Sequence, residues 1–497
     1  MAFVAPPPER SLTVDSNLAL SNIQPMPKSS SPFEVAIIGG GFAGTILAAY
    51  LLRSGAVGDM RVRLVERRTR LGGVAHGTEV PHQLLNEPIR KMSAFAHDPG
   101  HFLRWMHPRK ELLVNEGLSI DGVELAEVFV PRKVYGAYIR DTFDEAAKNA
   151  SESVRLERIH GEAVAINRDA DGAVVRLGDG RSFFAHRIVL AIGNYPAGPP
   201  PPPVDDPSFY GSPRYVGNPW SPGALDGIPS DAPVLLIGTG LTMVDQALTL
   251  RARGHGGKIH AVSRRGLLPH VHGPSVPYPV ALGPGQGSQN RPRAVPPGPR
   301  GGTSCRSPRY RRRSVVDALR PVNQALWQAL PPEERRRFIR HLRPYWEVHR
   351  HRLPPEVAGT IGEMLDAGQL VVHAGRIRSY VESPGGVDVK IERNAQTETL
   401  SAVRVINCSG PVRDYRRVRH PLIANLMEQG LACPGPMGMG LDVDSYGALR
   451  GKDGALPPVI YTLGILRKGY LYETTAVRDI RLQAAELARL LIEDVCP

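Results

Sequence analysis

A glycine-rich turn near the start of the chain has the spacing that a dinucleotide pyrophosphate requires. Gly39, Gly41 and Gly44 occupy the glycine positions of G-x-G-x-x-G, directly after the apolar run Phe33–Ile38. Such a turn offers backbone amides and a helix N-terminus to phosphate oxygens. About twenty residues later, a second apolar run ends in Glu66, whose carboxylate can accept hydrogen bonds from ribose hydroxyls. The first site is therefore predicted to bind FAD or NAD.

A second turn of this kind lies about two hundred residues further along the chain. Gly238 and Gly240 are in place after an apolar run, and Met243 stands where a third small residue is usual. Two dinucleotide turns in one chain are typical of enzymes that bind a flavin dinucleotide at one turn and a nicotinamide dinucleotide at the other. The sequence thus predicts a flavin oxidoreductase with FAD at the first turn.

The strand after the second turn ends without a carboxylate. Ser263 is followed by Arg264 and Arg265, whose guanidinium groups can bind a 2′-phosphate. This ending predicts NADPH rather than NADH, although a solvated strand end would show the same two arginines. The predicted NADPH contacts are Gly238, Thr239, Gly240, Leu241, Thr242, Ser263, Arg264 and Arg265.

The composition indicates a globular chain with long loops. Its 497 residues suggest two to four domains. The four cysteines, Cys305, Cys408, Cys433 and Cys496, contain no C-x-x-C pair, which argues against a dithiol relay and suits a reducing cytoplasm. No apolar run is long enough to span a bilayer. Residues 1–32, rich in Pro and Ser, are predicted to be a disordered leader rather than a signal peptide.

The net charge of +13 is concentrated in one segment. Residues 290–313 carry eight Arg and no acid among Pro and Gly, and such a segment cannot form a core. We expect a flexible surface loop over about residues 283–313 and no nucleic-acid partner, because no interleaved aromatic platform accompanies the arginines. The pair His349 and His351 is flanked by Arg residues that would repel a cation, so no metal site is predicted.

Two further strand-to-turn patterns indicate how the chain divides. The run 182–189 leads into the turn 190–196, and residues 403–406 lead into the turn 407–411. In proteins with two dinucleotide domains, such turns mark where the chain crosses between the domains. The predicted fold is α/β, with two Rossmann-like domains of the three-layer β/β/α type. An FAD domain formed by residues 33–205 and 403–497 would enclose an NADP domain at 206–402, with a helical segment at 314–366.

The last part of the chain is predicted to complete the flavin site. An apolar strand ends at Gly464, and Thr474 and Thr475 are suited to cap a helix that runs to about Val495. A helix N-terminus would stabilise negative charge on the reduced flavin ring, although the threonines could equally form a cap with no ligand. The predicted FAD contacts are Gly39, Gly41, Phe42, Ala43, Gly44, Glu66, Arg67, Gly73, Val74, Gly193, Gly464, Thr474 and Thr475.

Several longer blocks resemble one known family. They include Gly73-Val-Ala-His-Gly-Thr78, Leu84-Leu-Asn-Glu-Pro88, Phe129-Val-Pro-Arg-Lys-Val-Tyr-Gly136, Ser263-Arg-Arg-Gly-Leu-Leu-Pro269 and Tyr472-Glu-Thr-Thr-Ala-Val477. Over most of residues 33–495 the chain is similar to the FAD/NAD(P)-binding oxidoreductases of the YdhS-like or HcaD-like type, the NAD_binding_9 family. These resemble flavin monooxygenases, including N-oxygenases of small amino acids.

The resemblance implies a reaction of NADPH, O₂ and a small-molecule substrate. Reduced FAD would form a C4a-(hydro)peroxide whose distal oxygen passes to a nucleophilic atom, in a substrate that could contain an amine. The predicted catalytic residues are His76, Asn86 and Ser93. The chain departs from the family at His76, usually Tyr, and at Glu87, usually apolar, so these could recognise a charged substrate or be satisfied structural groups. A flavin dehydrogenase or reductase, and a non-catalytic nucleotide-binding protein, remain alternatives.

Overall fold

The structure is a computed structural model that describes residues 31–55, 58–200, 204, 206–276, 278, 312–452, 454 and 459–495. Residues 1–30 of the predicted leader, and the predicted Arg-rich loop up to residue 311, lie outside the described residues. None of the described helices is both long and apolar enough to cross a membrane.

A first parallel sheet takes its strands from both ends of the chain. Numbered in chain order, these strands are β1 Phe33–Ile38, β2 Met60–Glu66, β3 Val154–His160, β7 Arg187–Leu190 and β16 Ile460–Thr462. They lie in the order β16-β7-β1-β2-β3, and every neighbouring pair is parallel. The turns that follow these strands therefore meet at one edge of the sheet, where ligands bind in folds of this kind.

The two faces of this sheet are covered by different layers. Val35 and Ile37 of β1 pack into a core with the helices α1 Phe42–Leu52, α5 Arg132–Lys148 and α14 Val477–Glu493. Ala36 and Ile38 point the other way, into a core with the antiparallel strands β4 Ala163–Arg168, β5 Ala173–Leu177 and β6 Ser182–Ala185. The alternation of side chains along a strand thus produces the three-layer β/β/α arrangement.

A second parallel sheet is built in the same way. Its strands are β8 Tyr215–Val216, β9 Val234–Ile237, β10 Ile259–Ser263, β11 Leu370–Ala374 and β15 Arg404–Asn407, in the order β11-β10-β9-β15-β8. One face packs on the helices α6 Leu241–Ala252 and α11 Pro355–Asp366. The other face packs on the antiparallel strands β12 Arg376–Ser383, β13 Gly386–Arg393 and β14 Gln396–Ala402. The predicted fold class is confirmed.

A helical segment between β10 and β11 leaves the second sheet and packs on the first domain. It contains α7 Arg312–Leu319, α8 Asn323–Ala329, α9 Pro332–Arg337, a π-helical turn Phe338–Leu342, and α10 Arg343–Arg350. The other helices are α2 Gly73–His76, α3 His101–Met106, α4 Glu111–Asn115, α12 Pro421–Glu428 and α13 Lys468–Leu471. Trp327 of α8 joins Tyr472 and Met439 in a small apolar cluster.

Two predicted boundaries differ from the structure. The run 182–189 is divided between β6 and β7, because the chain passes there from the small sheet to the parallel one. Strand β15, predicted to open the second part of the FAD domain at residue 403, instead pairs with β9 and β8. β15 therefore belongs to the second sheet, and the chain returns to the first domain only after this strand ends at Asn407.

Candidate active site

The first glycine turn leaves an open approach beside the start of α1. Gly39 has a φ of +112°, and a Cβ there would lie 2.5 Å from the carbonyl oxygen of Ala191. A Cβ on Gly44 would lie 1.9 Å from the carbonyl oxygen of Gly39, so a side chain would prevent this packing of helix on strand. At Gly41 the nearest atom to a Cβ is the Cα of Gly73, at 3.9 Å. Gly41 is thus the position where a ligand can approach the backbone.

Glu66, at the end of β2, closes one side of the turn. One of its carboxylate oxygens accepts from the Gly40 amide at 2.6 Å, and the other accepts from the Arg68 amide at 2.9 Å. Each carboxylate oxygen can accept more than one hydrogen bond, so capacity remains for ribose hydroxyls. Arg67, also a predicted contact, forms an ion pair with Glu162 at 2.8 Å.

The short helix α2 forms the opposite side of this approach. Gly73 has a φ of +62°, and a Cβ there would lie only 3.0 Å from the Cα of Gly41. Val74 is 40% exposed and Ala75 is exposed, although both lie close to the buried Gly72. These apolar side chains therefore face an open space. Gly193, with a φ of +68°, likewise has no described atom within 4 Å of a Cβ position.

His76 is half-buried and packs against aromatic rings. Its ring centroid is 4.8 Å from that of Tyr135 and 6.1 Å from that of Phe42. Its Nδ1 is buried and has no hydrogen-bond partner among the residues that the structure describes. Burial, together with the charge of Arg132, lowers the pKa of His76 to about 3. The ring is therefore neutral at physiological pH.

The other two predicted catalytic residues have different surroundings. The fully buried Ser93 hydroxyl donates to the carbonyl oxygen of Asp98 and accepts from the Phe95 amide, which closes a backbone turn. The Asn86 carbonyl oxygen accepts from Nε2 of His272 at 2.8 Å. Asn86 thus lies where the two domains meet, whereas the Ser93 hydroxyl has a structural role.

The final helix starts later than the sequence predicts. It begins at Val477 and its N-cap is Ala476, so neither threonine caps it. The Thr474 hydroxyl instead donates to the carbonyl oxygen of Gly464 at 2.9 Å and accepts from the Gln483 amide at 2.8 Å. The Thr474 side chain therefore fixes the turn between β16 and α14, because its hydroxyl bonds across that turn rather than along the helix.

The second glycine turn resembles the first. Gly238 has a φ of +107°, and a Cβ there would lie 2.7 Å from the carbonyl oxygen of Cys408. A Cβ on Gly240 would have no described atom within 4 Å, so this turn is also open to a ligand. The Thr239 hydroxyl donates to the carbonyl oxygen of Leu267 at 2.6 Å and lies 2.9 Å from the Ser263 hydroxyl. These bonds hold the loop after β10 beside the turn, where Leu241 and Thr242 begin α6.

Two polar contacts hold α6 against the first domain. Arg132 of α5 forms an ion pair with Asp245 of α6 at 2.8 Å. Nε2 of His82 lies 3.0 Å from the Thr249 hydroxyl of the same helix. Because α6 starts at the second turn and α5 packs against α1, which starts at the first turn, these contacts fix the two turns relative to each other.

An ion-pair cluster joins the helical segment to the first domain. Glu87 lies 3.0 Å from Lys91, 3.0 Å from Arg320 and 3.6 Å from Arg350. Burial alone would raise the pKa of Glu87, but Arg320, Lys91 and Arg350 hold it at about 2. Arg350 also lies 3.6 Å from Glu473. Glu87, one of the departures from the family pattern, is therefore an ionised and fully paired group.

One acid in this cluster is not paired. Oδ2 of Asp479, in the first turn of α14, is buried without a hydrogen-bond partner in the described part of the chain. Burial raises the pKa of Asp479 to about 6, against the opposing charge of Arg350. Asp479 was not predicted from the sequence, because nothing in its local pattern distinguishes it from a helix-start carboxylate.

More arginines lie beside the loop after β10 than the local sequence of this loop indicates. Arg264 and Arg265 are exposed, and the Arg265 guanidinium lies 4.8 Å from the centre of the Tyr345 ring in α10. Burial lowers the pKa of Arg264, and so do Arg343, Arg265 and Arg376 nearby. Arg343 and Arg376 lie about 80 and 110 residues further along the chain, so no local motif could have indicated them.

Comparisons with known proteins agree with this geometry. Residues 36–195 match the NAD_binding_9 family, described as FAD-NAD(P)-binding, which confirms the resemblance over that part of the chain. No curated protein matches. The chain is similar to the ornithine N-hydroxylase KtzI of Kutzneria sp. 744 (14% identity, TM-score 0.62, 93% of this chain and 100% of that one).

Two other solved structures share the fold. One is L-lysine 6-monooxygenase from Pseudomonas syringae, with 16% identity and a TM-score of 0.61 over 94% of this chain and 100% of that one. The other is the bacillithiol disulfide reductase Bdr (YpdA) from Staphylococcus aureus, with 12% identity and a TM-score of 0.53 over 93% and 99%. At these identities the likeness establishes a shared fold over almost the whole chain.

Proposed function

We propose that the protein is an FAD-dependent, NADPH-using oxidoreductase, and specifically a monooxygenase that acts on a small substrate containing an amine. The observation that carries this proposal is the pair of open glycine turns. Contacts between α5 and α6 fix the two turns relative to each other, and the strands after them end in side chains of opposite charge. A carboxylate, Glu66, ends the strand after the first turn, whereas Arg264 and Arg265 follow the strand after the second. The first pattern suits a ribose and the second suits a ribose 2′-phosphate.

The first site fits FAD. The open backbone at Gly41 and the N-terminus of α1 would hold the pyrophosphate, and the Glu66 carboxylate would hold the ribose. The exposed apolar side chains of Val74 and Ala75 give an aromatic ring system a surface to contact. When bound, FAD supplies hydride acceptance from NADPH and, once reduced, activation of O₂ for transfer of one oxygen atom to the substrate.

The paired and unpaired charges at the domain junction suit an amine substrate. Two of the neighbours in fold named above act on ornithine and lysine. In this chain the unpaired Asp479 carboxylate would bind an ammonium group, and its pKa of about 6 would let it take up the proton that the amine must lose before it can act as a nucleophile. Glu87 and Glu473 are bound by arginines and would keep their charge throughout.

A flavin reductase is the second candidate, since a disulfide reductase shares the fold. The described cysteines do not favour a thiol relay. Cys408 is buried, and burial raises the pKa of its thiol. Cys433 is the other free thiol that the structure describes.

We also propose a cytoplasmic location, because NADPH is the proposed electron source. O₂ and the amine are the other proposed reactants of the enzyme.

The test is a product balance with purified, flavin-loaded protein. NADPH and O₂ are supplied with L-ornithine, L-lysine or a simple diamine, and hydroxylamine product, hydrogen peroxide and consumed NADPH are measured together. A monooxygenase forms hydroxylated amine in proportion to the NADPH consumed. Flavin reduction without product from any amine, but with electron transfer to a quinone or disulfide, would favour the reductase. Protein purified without flavin and unable to bind it would favour a non-catalytic role.

A further inference from the structure

Four arginines from three separate chain segments converge beside the second glycine turn. Arg264 and Arg265 follow β10, Arg343 opens α10, and Arg376 opens β12. The Arg265 guanidinium lies over the Tyr345 ring of α10, which brings the start of that helix to the loop.

The start of β12 is also held at this loop. A Cβ on Gly266 would lie 3.2 Å from the Cβ of Ala374, two residues before Arg376. The charges of Arg343, Arg265 and Arg376 all act on the Arg264 guanidinium. We refer to Arg264, Arg265, Arg343 and Arg376 as the arginine cluster.

Too few carboxylates surround the arginine cluster to balance it. In the described part of the chain, Glu347 is the acid that forms an ion pair with it, at 3.8 Å from Nε of Arg343. The same carboxylate is shared with Arg413, whose Nη2 lies 3.4 Å away. Nε of Arg343 is buried and has no hydrogen-bond partner in the described ranges. Neither Arg264 nor Arg376 has an ion-pair partner among those residues.

A cluster of like charges with an unsatisfied buried donor is stable when an anion occupies it. Guanidinium groups bind phosphate through paired hydrogen bonds, and a phosphomonoester dianion can accept from several of them at once. The cluster borders Ser263, the residue at the end of β10 where a nucleotide ribose lies in folds of this kind.

We propose that Arg343 and Arg376, together with Arg264, form the binding site for the 2′-phosphate of NADPH. This inference rests on the proposed function and adds two specificity-determining residues that lie outside the dinucleotide fingerprint. It also means that α10 contacts both the proposed phosphate site and the first domain. The first turn of α10 holds the phosphate, while Trp346 and Arg350 of the same helix contact Glu473 in the first domain.

The test compares two ligands that differ only in the 2′-phosphate, 2′,5′-ADP and 5′-AMP, by calorimetry on the flavin-loaded protein. Arg343→Gln and Arg376→Gln should each weaken 2′,5′-ADP about tenfold or more, since a charged hydrogen bond is lost, and leave 5′-AMP within about twofold. The control is Arg336→Gln on α9, an exposed arginine with the same change in charge.

Hydrogen exchange provides a readout that does not depend on affinity. Saturating 2′,5′-ADP should slow amide exchange in α10, whereas saturating 5′-AMP should not. If Arg264→Gln weakens 2′,5′-ADP but Arg343→Gln and Arg376→Gln do not, the fingerprint arginines bind the phosphate alone and this inference is wrong, although NADPH use stands. If the wild type does not distinguish the two ligands, both the inference and the NADPH assignment are wrong, and flavin content separately tests the first site.

Discussion

The indole Nε1 of Trp346 donates a hydrogen bond of 2.7 Å to the carboxylate of Glu473. This bond joins α10, in the chain segment between β10 and β11, to the residues that link α13 to α14. The residue before Glu473, Tyr472, has a φ of +61° and a ψ of −63° and stacks on Trp327 at 4.7 Å. A non-glycine residue persists in such a conformation only where its surroundings hold it, and strained residues of this kind cluster at functional sites.

We therefore expect Trp346→Phe to destabilise the protein by about 1–3 kcal/mol, because the buried Glu473 oxygen loses a donor while the aromatic packing remains. Chemical denaturation would measure the loss. Trp105→Phe is a matched control, since the Trp105 indole donates to the exposed Asp141 carboxylate. Equal losses of stability in the two variants would show that the Trp346 hydrogen bond contributes no more to the free energy of unfolding than the exposed Trp105 bond.

Replacement of Gly41 by Val should abolish flavin binding without unfolding the chain. Gly41 has an extended backbone with a φ of −72°, which any residue adopts, and a Cβ has room there. The added methyl groups would occupy the approach to the backbone amides. The flavin absorbance per purified chain measures the effect, with Gly359→Val on α11 as control, where a Cβ meets no described atom within 4 Å. Normal flavin content in Gly41→Val would refute the first site.

Arg264→Ala should weaken NADPH by about ten- to a hundredfold and change NADH by little, since only NADPH carries the 2′-phosphate. Arg265→Ala should act in the same direction. The concentration dependence of flavin reduction under anaerobic conditions measures both nucleotides. A variant that weakens NADH as much as NADPH contributes to the general shape of the site rather than to recognition of the phosphate.

His76→Phe should make the protein more resistant to acid. The folded-state pKa of about 3 lies below the ordinary value of 6.5, so the unfolded chain binds more protons between these pH values. Stability therefore falls as pH falls from about 6.5 towards 3, and a residue without a titrating group removes that contribution. The melting temperature of the variant should therefore fall less between pH 7 and pH 4 than that of the wild type. Parallel curves would mean that His76 is solvated.

Asp479→Asn should stabilise the protein at neutral pH and slow oxygen transfer to an amine. The folded-state pKa of about 6 lies above the ordinary value of 3.8, so stability is lost as pH rises between them and stays lost above pH 6. The asparagine avoids the buried charge. Asp366→Asn, at the exposed end of α11, is the control.

The same variant tests the proposed proton acceptor. In the wild type the pH profile of kcat/KM should rise through about pH 6, as Asp479 ionises, and in Asp479→Asn this rise should be absent. Flavin reduction by NADPH should be unchanged. A variant with a normal pH profile and normal product formation would remove Asp479 from the reaction.

Local patterns were sufficient for the fold and for the two glycine turns. The spacing of Gly39, Gly41 and Gly44 reflects the backbone conformation of six consecutive residues. Such a local conformation can be predicted without knowledge of distant contacts. The apolar run Phe33–Ile38 is likewise a local pattern, and the structure buries the strand on both faces. The start of α14 was predicted wrongly, because the Thr474 hydroxyl donates to Gly464 and accepts from Gln483 across a turn instead of accepting from a helix-start amide.

The charges at the domain junction were decided by the tertiary structure alone. Glu87 is ionised because Arg320 and Arg350 reach it from the helical segment, more than 200 residues away in sequence. His76 is neutral because packing against aromatic rings and the charge of Arg132 lower its pKa, although its sequence neighbours are small. The pKa of a side chain depends on burial and on charges within a few ångströms, and these distances are set only when separate segments pack together.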